Sequence, residues 1–321
     1  MSKIRTPETL REAMAYFADP DVSLQFLQFL RWPNGVTCAH CGAKDPMFLK
    51  TRRIWKCKVC RKQFSVKLGT IFEDSPLGLD KWLPAIWMLA NSKNGISSYE
   101  VARGLGVTQK TAWFMLGRIR LAMQTKSFKK MSGSVEADET FVGGLSKNMH
   151  KGKRERVIKT KGTGVGAKTA VLGIIQRGDD KSPSTAHAAV VDDISAKHLH
   201  AQIYERVEQG SALYTDKWRG YNGLAKHFRH GVIDHAVAYV DGPIHTNSLE
   251  NFWSLLKRAI KGTYVSVDPF HMFRYITEQT FRFNLRKEND AFRFAAVCGM
   301  VMNKRLTYKN LIGANLVPAT T

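Results

Sequence analysis

Long apolar runs are missing from this chain: none approaches the roughly 18 residues that a membrane span requires. The N-terminal stretch MSKIRTPETLREAMAYF also lacks the unbroken apolar core of a secretory signal. The expectation is an intracellular chain with no membrane partner. Cysteine is scarce, 5 in 321 residues, and inside a cell so few thiols point to metal binding or chemistry, not to disulfides. Acidic groups are short as well: 27 Asp and Glu against 49 Lys and Arg leave a net charge of +22 and a pI near 9.9. The hydrophobic share, 44%, is ordinary for a globular protein, and the length suits two or three domains.

The surplus is unevenly spread. Counted along the chain it is +6 for residues 1–75, +7 for 76–133, +4 for 134–168, −1 for 169–244 and +6 for 245–321. Basic character carried by aromatic-rich, foldable segments fits a polyanion held across several surfaces, nucleic acid first. A ribosome-like scaffold or an anionic surface fits the same count.

Residues 7–31 read as one amphipathic helix or two short ones, with a break at Ala18-Asp19-Pro20-Asp21. Cys38-Ala39-His40-Cys41-Gly42 is followed, after fifteen residues, by Cys57-Lys58-Val59-Cys60. Two such pairs supply four thiolates for one tetrahedral Zn²⁺, and the short apolar runs at 47–49, 53–56 and 63–66 make a zinc ribbon. Cys298, in an apolar context, reads as a core thiol. Residues 95–123 have helix-turn-helix grammar: Ser97 or Ser98 caps a helix through Leu105, Gly106 turns, and Thr108 caps a second helix. Gln109, Lys110 and Thr111 open that helix where base edges are read, and Arg118 lies further along it. Any helical hairpin with a glycine turn has the same pattern.

Past Gly133 the character changes. Val135 to Gly144 reads as a strand ending in a turn, with Glu136, Asp138 and Thr140 on one face and Glu139 on the other. A Gly-rich basic loop, 147–168, contains Lys151, Lys153, Arg154 and Arg156. Its end resembles a phosphate-cradling glycine loop, but Ala167 replaces the second glycine and the strand follows instead of preceding. A DNA-contacting loop is the better reading. Strands follow at 170–175 and 185–191, then a helix at 195–209. A short strand then ends in Asp216, which either sits at a ligand-binding strand end or caps the next helix. A last strand is expected at 235–240, and the histidines at 198, 200, 227 and 230 read as surface residues. A helix from Pro269 is expected to bury Phe270, Phe273, Ile276, Thr280 and Phe281, leaving Arg274, Arg282, Arg286 and Lys287 on a basic face.

The stretch HTNSLENFWSLLKR, 245–258, buries Leu249, Phe252, Trp253 and Leu256 at helical spacing. Glu250 and Lys257, seven residues or about two turns apart, project from nearly one side, about 10 Å from each other. Alone that is a solvated face or half of a site. Asp138, Asp216 and Glu250 together make a repulsive trio unless two Mg²⁺ or Mn²⁺ ions about 3.5 to 4 Å apart neutralise them.

The order zinc ribbon, helix-turn-helix, Glu136-Ala137-Asp138-Glu139-Thr140 with Gly143-Gly144, Tyr214-Thr215-Asp216, then Thr246 to Arg258 resembles the ISXO2-like insertion-sequence transposases. The resemblance implies a multidomain α+β protein with a ribonuclease-H-like α/β catalytic domain built on a mixed sheet. It implies Asp138, Asp216 and Glu250 as metal-binding catalytic acids and Lys257 as the accompanying base, with Arg258 and Lys261 beside it on DNA. Glu250 is preferred to Asn247 as third ligand because it alone has Lys257 at the seven-residue step. The expected divisions are a helical segment 1–32, zinc ribbon 33–75, helix-turn-helix 76–130, catalytic domain 131–290 and C-terminal segment 291–321. Double-stranded DNA, a homodimer or larger assembly, and a prokaryotic cytoplasm with the nucleoid as workplace complete the expectation.

Overall fold

In the computed structural model, the described residues are 5–124, 129–144, 150–152, 154–155, 168–180, 182–234, 242 and 244–314. The chain divides into two compact units, residues 1–124 with 288–321, and residues 125–287. The expected strand at 235–240 and the loop residues Lys153 and Arg156 lie outside the described residues.

In the first unit the 7–31 stretch forms two helices, α1 (Leu10–Phe17) and α2 (Pro20–Arg31). Pro20 opens α2 where its missing N–H costs nothing, and Asp19 caps it by accepting from the Asp21 N–H at 2.8 Å. The ribbon is a three-stranded antiparallel sheet, β1 (Met47–Leu49), β2 (Ile54–Lys56) and β3 (Gln63–Phe64). Trp32, Trp55 and Phe64 pack ring to ring beneath it. Next come α3 (Leu79–Asn91), α4 (Ser98–Leu105) and α5 (Gln109–Met123). A reciprocal box between Ser97 and Glu100 starts α4, Gly106 at φ +62° ends it, and Thr108 accepts from the Thr111 N–H to start α5. Arg118 departs from expectation. It is buried, and its guanidinium donates to the carbonyls of Ile71, Glu73 and Leu306 at 2.9, 2.7 and 3.0 Å, so it ties loops to α5 instead of facing DNA.

The second unit is built on a mixed sheet in the order β6-β5-β4-β7-β8. Strands β4 (Ser134–Val142), β5 (Thr169–Gln176) and β6 (Thr185–Val191) are antiparallel. After α6 (Ala196–Arg206), β7 (Ala212–Asp216) runs parallel to β4 and β8 (Arg229–Ile233) parallel to β7. One face is covered by α6 through Leu199 and Ile203. The other is covered by α7 (Asn247–Arg258) and α8 (Met272–Asn284) through Leu249, Phe252, Trp253, Leu256, Met272, Ile276 and Phe283. The inner face of α8 thus differs from expectation. Phe273 is 37% exposed, while Arg274 and Arg282 are buried, Arg282 bonded to Glu278 and Gln279. A guanidinium paired inside the unit contributes no basic surface. His200 and His230 are also half-buried, not superficial, and His230 Nε2 lies 2.9 Å from Thr215 Oγ1.

Helix α7 is fixed to the sheet by a fully buried carboxylate. Thr246 makes no side-chain cap, and Glu136 of β4 does that work from another strand: Oε2 accepts from the backbone N–H of Ser248 at 3.0 Å and of Leu249 at 3.1 Å. Its Oε1 accepts from Ser248 Oγ and from Arg177 Nε at 2.9 and 2.7 Å. Gly173, opposite Asp138 on β5, supplies the room: a Cβ there would lie 2.6 Å from both Leu249 and Trp253. The last stretch of the chain, α9 (Asp290–Gly299) and α10 (Tyr308–Leu311), belongs to the first unit, where α9 packs on α3 and α10 on α5. Cys298 is buried there, as expected of a core thiol.

Replacing Glu136 by Ala leaves two helix N–H groups without their acceptor and takes from the half-buried Arg177 its carboxylate partner. The expected loss is about 3–5 kcal/mol, read as a lower urea midpoint, with Glu136→Gln losing less because an amide oxygen still accepts. Equal midpoints for wild type and Glu136→Ala would refute this role.

Candidate active site

The register of β4 and β7 brings the first two acids together. The parallel ladder pairs Ser134 with Ala212 and Glu136 with Tyr214. Two residues further along each strand stand Asp138 and Asp216, side by side where the pairing has ended. Carboxylate oxygens of Asp138, Glu139 and Asp216 lie within 4.8 Å of one another. Trp253 on α7 donates its indole N–H to Asp138 Oδ2 at 2.8 Å. Glu250, one turn before Trp253, is exposed and stands outside this threesome, yet near enough for its charge to act on Asp138.

Glu139 is the member that sequence reasoning left out. Alternation does send it to the opposite face, where Tyr221 donates to its Oε2 at 2.5 Å. Beyond the last β4–β7 pair, however, the gap between the strands is open to carboxylates from both faces. A signal was present in the sequence: an acid adjacent to Asp138, and an aromatic hydroxyl five residues after Asp216.

Three carboxylates at this distance oppose one another's ionisation. Burial pushes Asp138 up to about 6, and the charges of Asp216 and Glu250 push in the same direction against the Trp253 hydrogen bond. Burial likewise raises Glu139 to about 7, helped by Asp216 and Asp138 and opposed by Tyr221. Burial and the neighbouring Glu139 also raise Tyr221, so it stays a donor. An oxygen-only group that resists holding its own charges has the chemistry of a hard divalent cation site, for Mg²⁺ or Mn²⁺.

The second centre is the ribbon. Cys38 and Cys60 Sγ are 3.7 Å apart and Cys41 and Cys57 Sγ 3.6 Å apart, with all four sulfurs mutually within 4.8 Å. Ligands about 2.3 Å from a tetrahedral Zn²⁺ stand about 3.8 Å from each other, so the thiols are already at zinc spacing. The N–H of His40 points at Cys38 Sγ and that of Cys60 at Cys57 Sγ, both at 3.4 Å. The latter bond is the main cause that lowers Cys57 to about 6, toward the thiolate a metal needs.

A family model for the ISXO2-like transposase domain matches residues 130–284, and one for a transposase zinc-ribbon domain matches residues 20–63. The chain thus carries an ISXO2-like transposase domain preceded by a transposase zinc ribbon. It is 27% identical over 237 residues to an uncharacterized protein in transposable element ISH50 of Halobacterium salinarum, covering 71% of this chain and 79% of that one. An uncharacterized transposase-like protein of Haemophilus influenzae is 29% identical over 99 residues, 30% of this chain and 80% of its own length. Cys38, Cys41, Cys57 and Cys60 all fall within the matched zinc ribbon, and Asp138, Glu139 and Asp216 within the matched transposase domain.

The other expected site residues fall as follows. Lys257, Arg258 and Lys261 are exposed, the first two on the last turn of α7 and the third in the π-helical turn Ala259–Tyr264 that continues it. Lys110 is exposed, its ammonium 5.0 Å from the Tyr308 ring centre. Gln109 is half-buried and donates to Ser98 Oγ at 2.8 Å, while the Thr111 hydroxyl lies 2.8 Å from that of Thr108, so these two help hold the turn. Lys151 is exposed and Arg154 half-buried. Asn247 is the exposed first residue of α7. Among the described residues no helix is long and apolar enough to cross a membrane.

Asp138 and Glu139 carry pKa values above their ordinary 3.8 and 4.5. At these two groups, between roughly pH 4 and 7, the folded chain therefore holds protons that the unfolded chain has released, so their contribution to stability falls as pH rises through that window, while the lowered His187 and His230 act the other way. With zinc retained, added Mg²⁺ should therefore raise Tm more at pH 8 than at pH 5; an Mg²⁺ effect independent of pH would contradict this. At the ribbon, the isolated protein should carry one Zn²⁺. Its removal should expose four thiols to a thiol reagent while buried Cys298 stays unreactive, and four reactive thiols with zinc in place would exclude them as its ligands.

Proposed function

We propose that this protein binds the ends of its own insertion sequence, cleaves there, and joins the freed 3′-hydroxyl to target DNA by phosphoryl transfer. The observation that carries this reading is the meeting of Asp138, Glu139 and Asp216 beneath the helix that bears Glu250 and Lys257. Asp138, Asp216 and Glu250 are the residues that would hold two Mg²⁺ or Mn²⁺ ions, which supply activation of the attacking oxygen and charge relief at the leaving one.

The chain's own residues do the positioning. Trp253 holds Asp138 in one rotamer, and Tyr221 does the same for Glu139. Lys257, about two turns from Glu250, is exposed to meet a DNA phosphate near the acids, with Arg258 and Lys261 extending the contact. Gln109, Lys110 and Thr111 at the start of α5 would enter a major groove, and the zinc ribbon would add a second DNA contact. Lys151 and Arg154, with Lys153 and Arg156 in the loop between β4 and β5, add phosphate contacts. Bringing two element ends together needs two catalytic units, so the working form is a homodimer or larger, acting on the nucleoid in a prokaryotic cytoplasm.

In a strand-transfer assay with Mg²⁺ and a DNA fragment carrying the element's end, wild type should both cleave and join. Asp216→Asn and Glu250→Gln should each lose at least about 10²-fold in both steps, the scale lost when a charge-stabilising group is removed, and Asn247→Ala should lose far less. Cleavage without joining would make the protein a nuclease of this fold. Binding with neither step would make it a DNA-binding regulator.

A further inference from the structure

A second polar cavity of about 390 Å³ opens at the start of β4, away from the acids. From Ser134 to Asp138 the strand advances about 13 Å, so the two places are separate points along one strand. The cavity wraps the beginning of β6, which is an edge strand of the sheet. Arg206, the last residue of α6, reaches it from one face of the sheet, and Thr280 and Asn284 of α8 reach it from the other. Lys129 and Lys130 stand exposed at the rim, and no Asp or Glu is among the described lining residues.

Its wall is polar in a particular way. The Nε2 of His187 and the Oγ1 of Thr280 are buried and make no hydrogen bond among the described residues. Burial, and then the nearby Arg206, push His187 down to about 4, so its ring is neutral and can offer one N–H. Asn284 is already committed, donating to Ala186 O and accepting from Ala186 N at 2.9 and 2.7 Å, and Lys130 Nζ donates to Tyr204 O at 2.8 Å. Glu205 lies against Arg206 at 3.1 Å and offsets one of the three positive charges. The carbonyl of Arg206 is taken by the Met131 N–H at 2.7 Å, so the helix end does not present it to the cavity.

We propose that this cavity is a phosphate-binding site, in which His187 and Thr280 donate to phosphate oxygens under the charge of Arg206, Lys129 and Lys130. Donors that line one small concave site beside three positive charges suit a tetrahedral oxyanion. The phosphate comes either from a nucleic-acid backbone passing that end of the sheet or from free phosphate. Neither source requires the acid cluster to be catalytic, so the inference goes beyond the proposed reaction and stands apart from it.

The test is histidine NMR on the full zinc-loaded chain labelled at imidazole carbons, with the His187 resonance assigned by His187→Gln. Titration with inorganic phosphate in chloride buffer, and separately with a short DNA duplex, should shift the His187 signal saturably with at least one of the two. Duplex that moves His187 and displaces phosphate identifies the backbone as source; phosphate that stays bound beside duplex identifies the free ion. Thr280→Val and the double variant Lys129→Gln/Lys130→Gln should each weaken the effect, the double variant by at least about tenfold from lost charge-assisted contacts. Both should keep wild-type zinc content and Tm. No His187 shift with either probe, or equal midpoints in wild type and both variants, overturns the proposal. Lost strand transfer with the His187 shift intact would count against the catalytic reading alone.

Discussion

The Glu136 carboxylate is the interaction on which the second unit depends. A carboxylate with no exposure, inside a sheet, is costly unless each oxygen is satisfied, and here three donors and a guanidinium meet it: the backbone of Ser248 and Leu249, the Ser248 hydroxyl, and Arg177. The partner is a helix N-terminus, whose free N–H groups and dipole favour an anion. One residue thereby sets the angle, register and end point of α7 against β4. Because Glu250 and Trp253 are three and six residues past Asn247 on that helix, their height above Asp138 follows. The arrangement also needs Gly173, since any side chain there would push Leu249 and Trp253 away from the sheet.

That anchoring allows the neighbouring acids to be badly off. Glu136 is matched by positive groups, whereas Asp138 and Glu139, two and three residues later, are held toward their protonated forms by burial and by one another. The same strand thus carries one carboxylate that fixes structure and two whose charge calls for a cation. A site built this way is preorganised by what surrounds it. Trp253 and Tyr221 each commit one hydrogen bond to orient an oxygen, and that rigidity keeps the acids from relaxing apart in the absence of metal.

What could be read from the sequence was what depends on neighbours along the chain. Two Cys pairs place four sulfurs through two tight turns, and the Ser97, Gly106 and Thr108 signals act within one or two residues, so the ribbon thiols and the helix boundaries of α4 and α5 were legible. The meeting of Asp138 with Asp216 was legible as a possibility, because strand ends recur at ligand sites, but its register was not: it rests on Ser134 pairing with Ala212, across 78 residues of sequence. Glu139 was placed on its correct face but left out of the cluster, because alternation sorts Cβ directions and says nothing about where a strand ladder stops. Strand β8 was passed over because Arg-His-Gly-Val-Ile has no alternating pattern, and its pairing comes from β7 alone.

The net charge of +22 is a weaker guide to the DNA surface than it first reads. Arg118, Arg120, Arg274 and Arg282 are buried, and Arg118 and Arg177 spend their donors on carbonyls and on Glu136. Guanidinium suits such work because its fork can serve several acceptors at once and it is weakly hydrated. Lysine carries a compact and strongly hydrated charge, and although Lys67 and Lys304 are half-buried on backbone carbonyls, Lys110, Lys151, Lys257 and Lys261 are all exposed. In this chain, then, lysine positions map the surface a phosphate backbone would meet more faithfully than the total does. Arg258, exposed beside Lys257, follows that map.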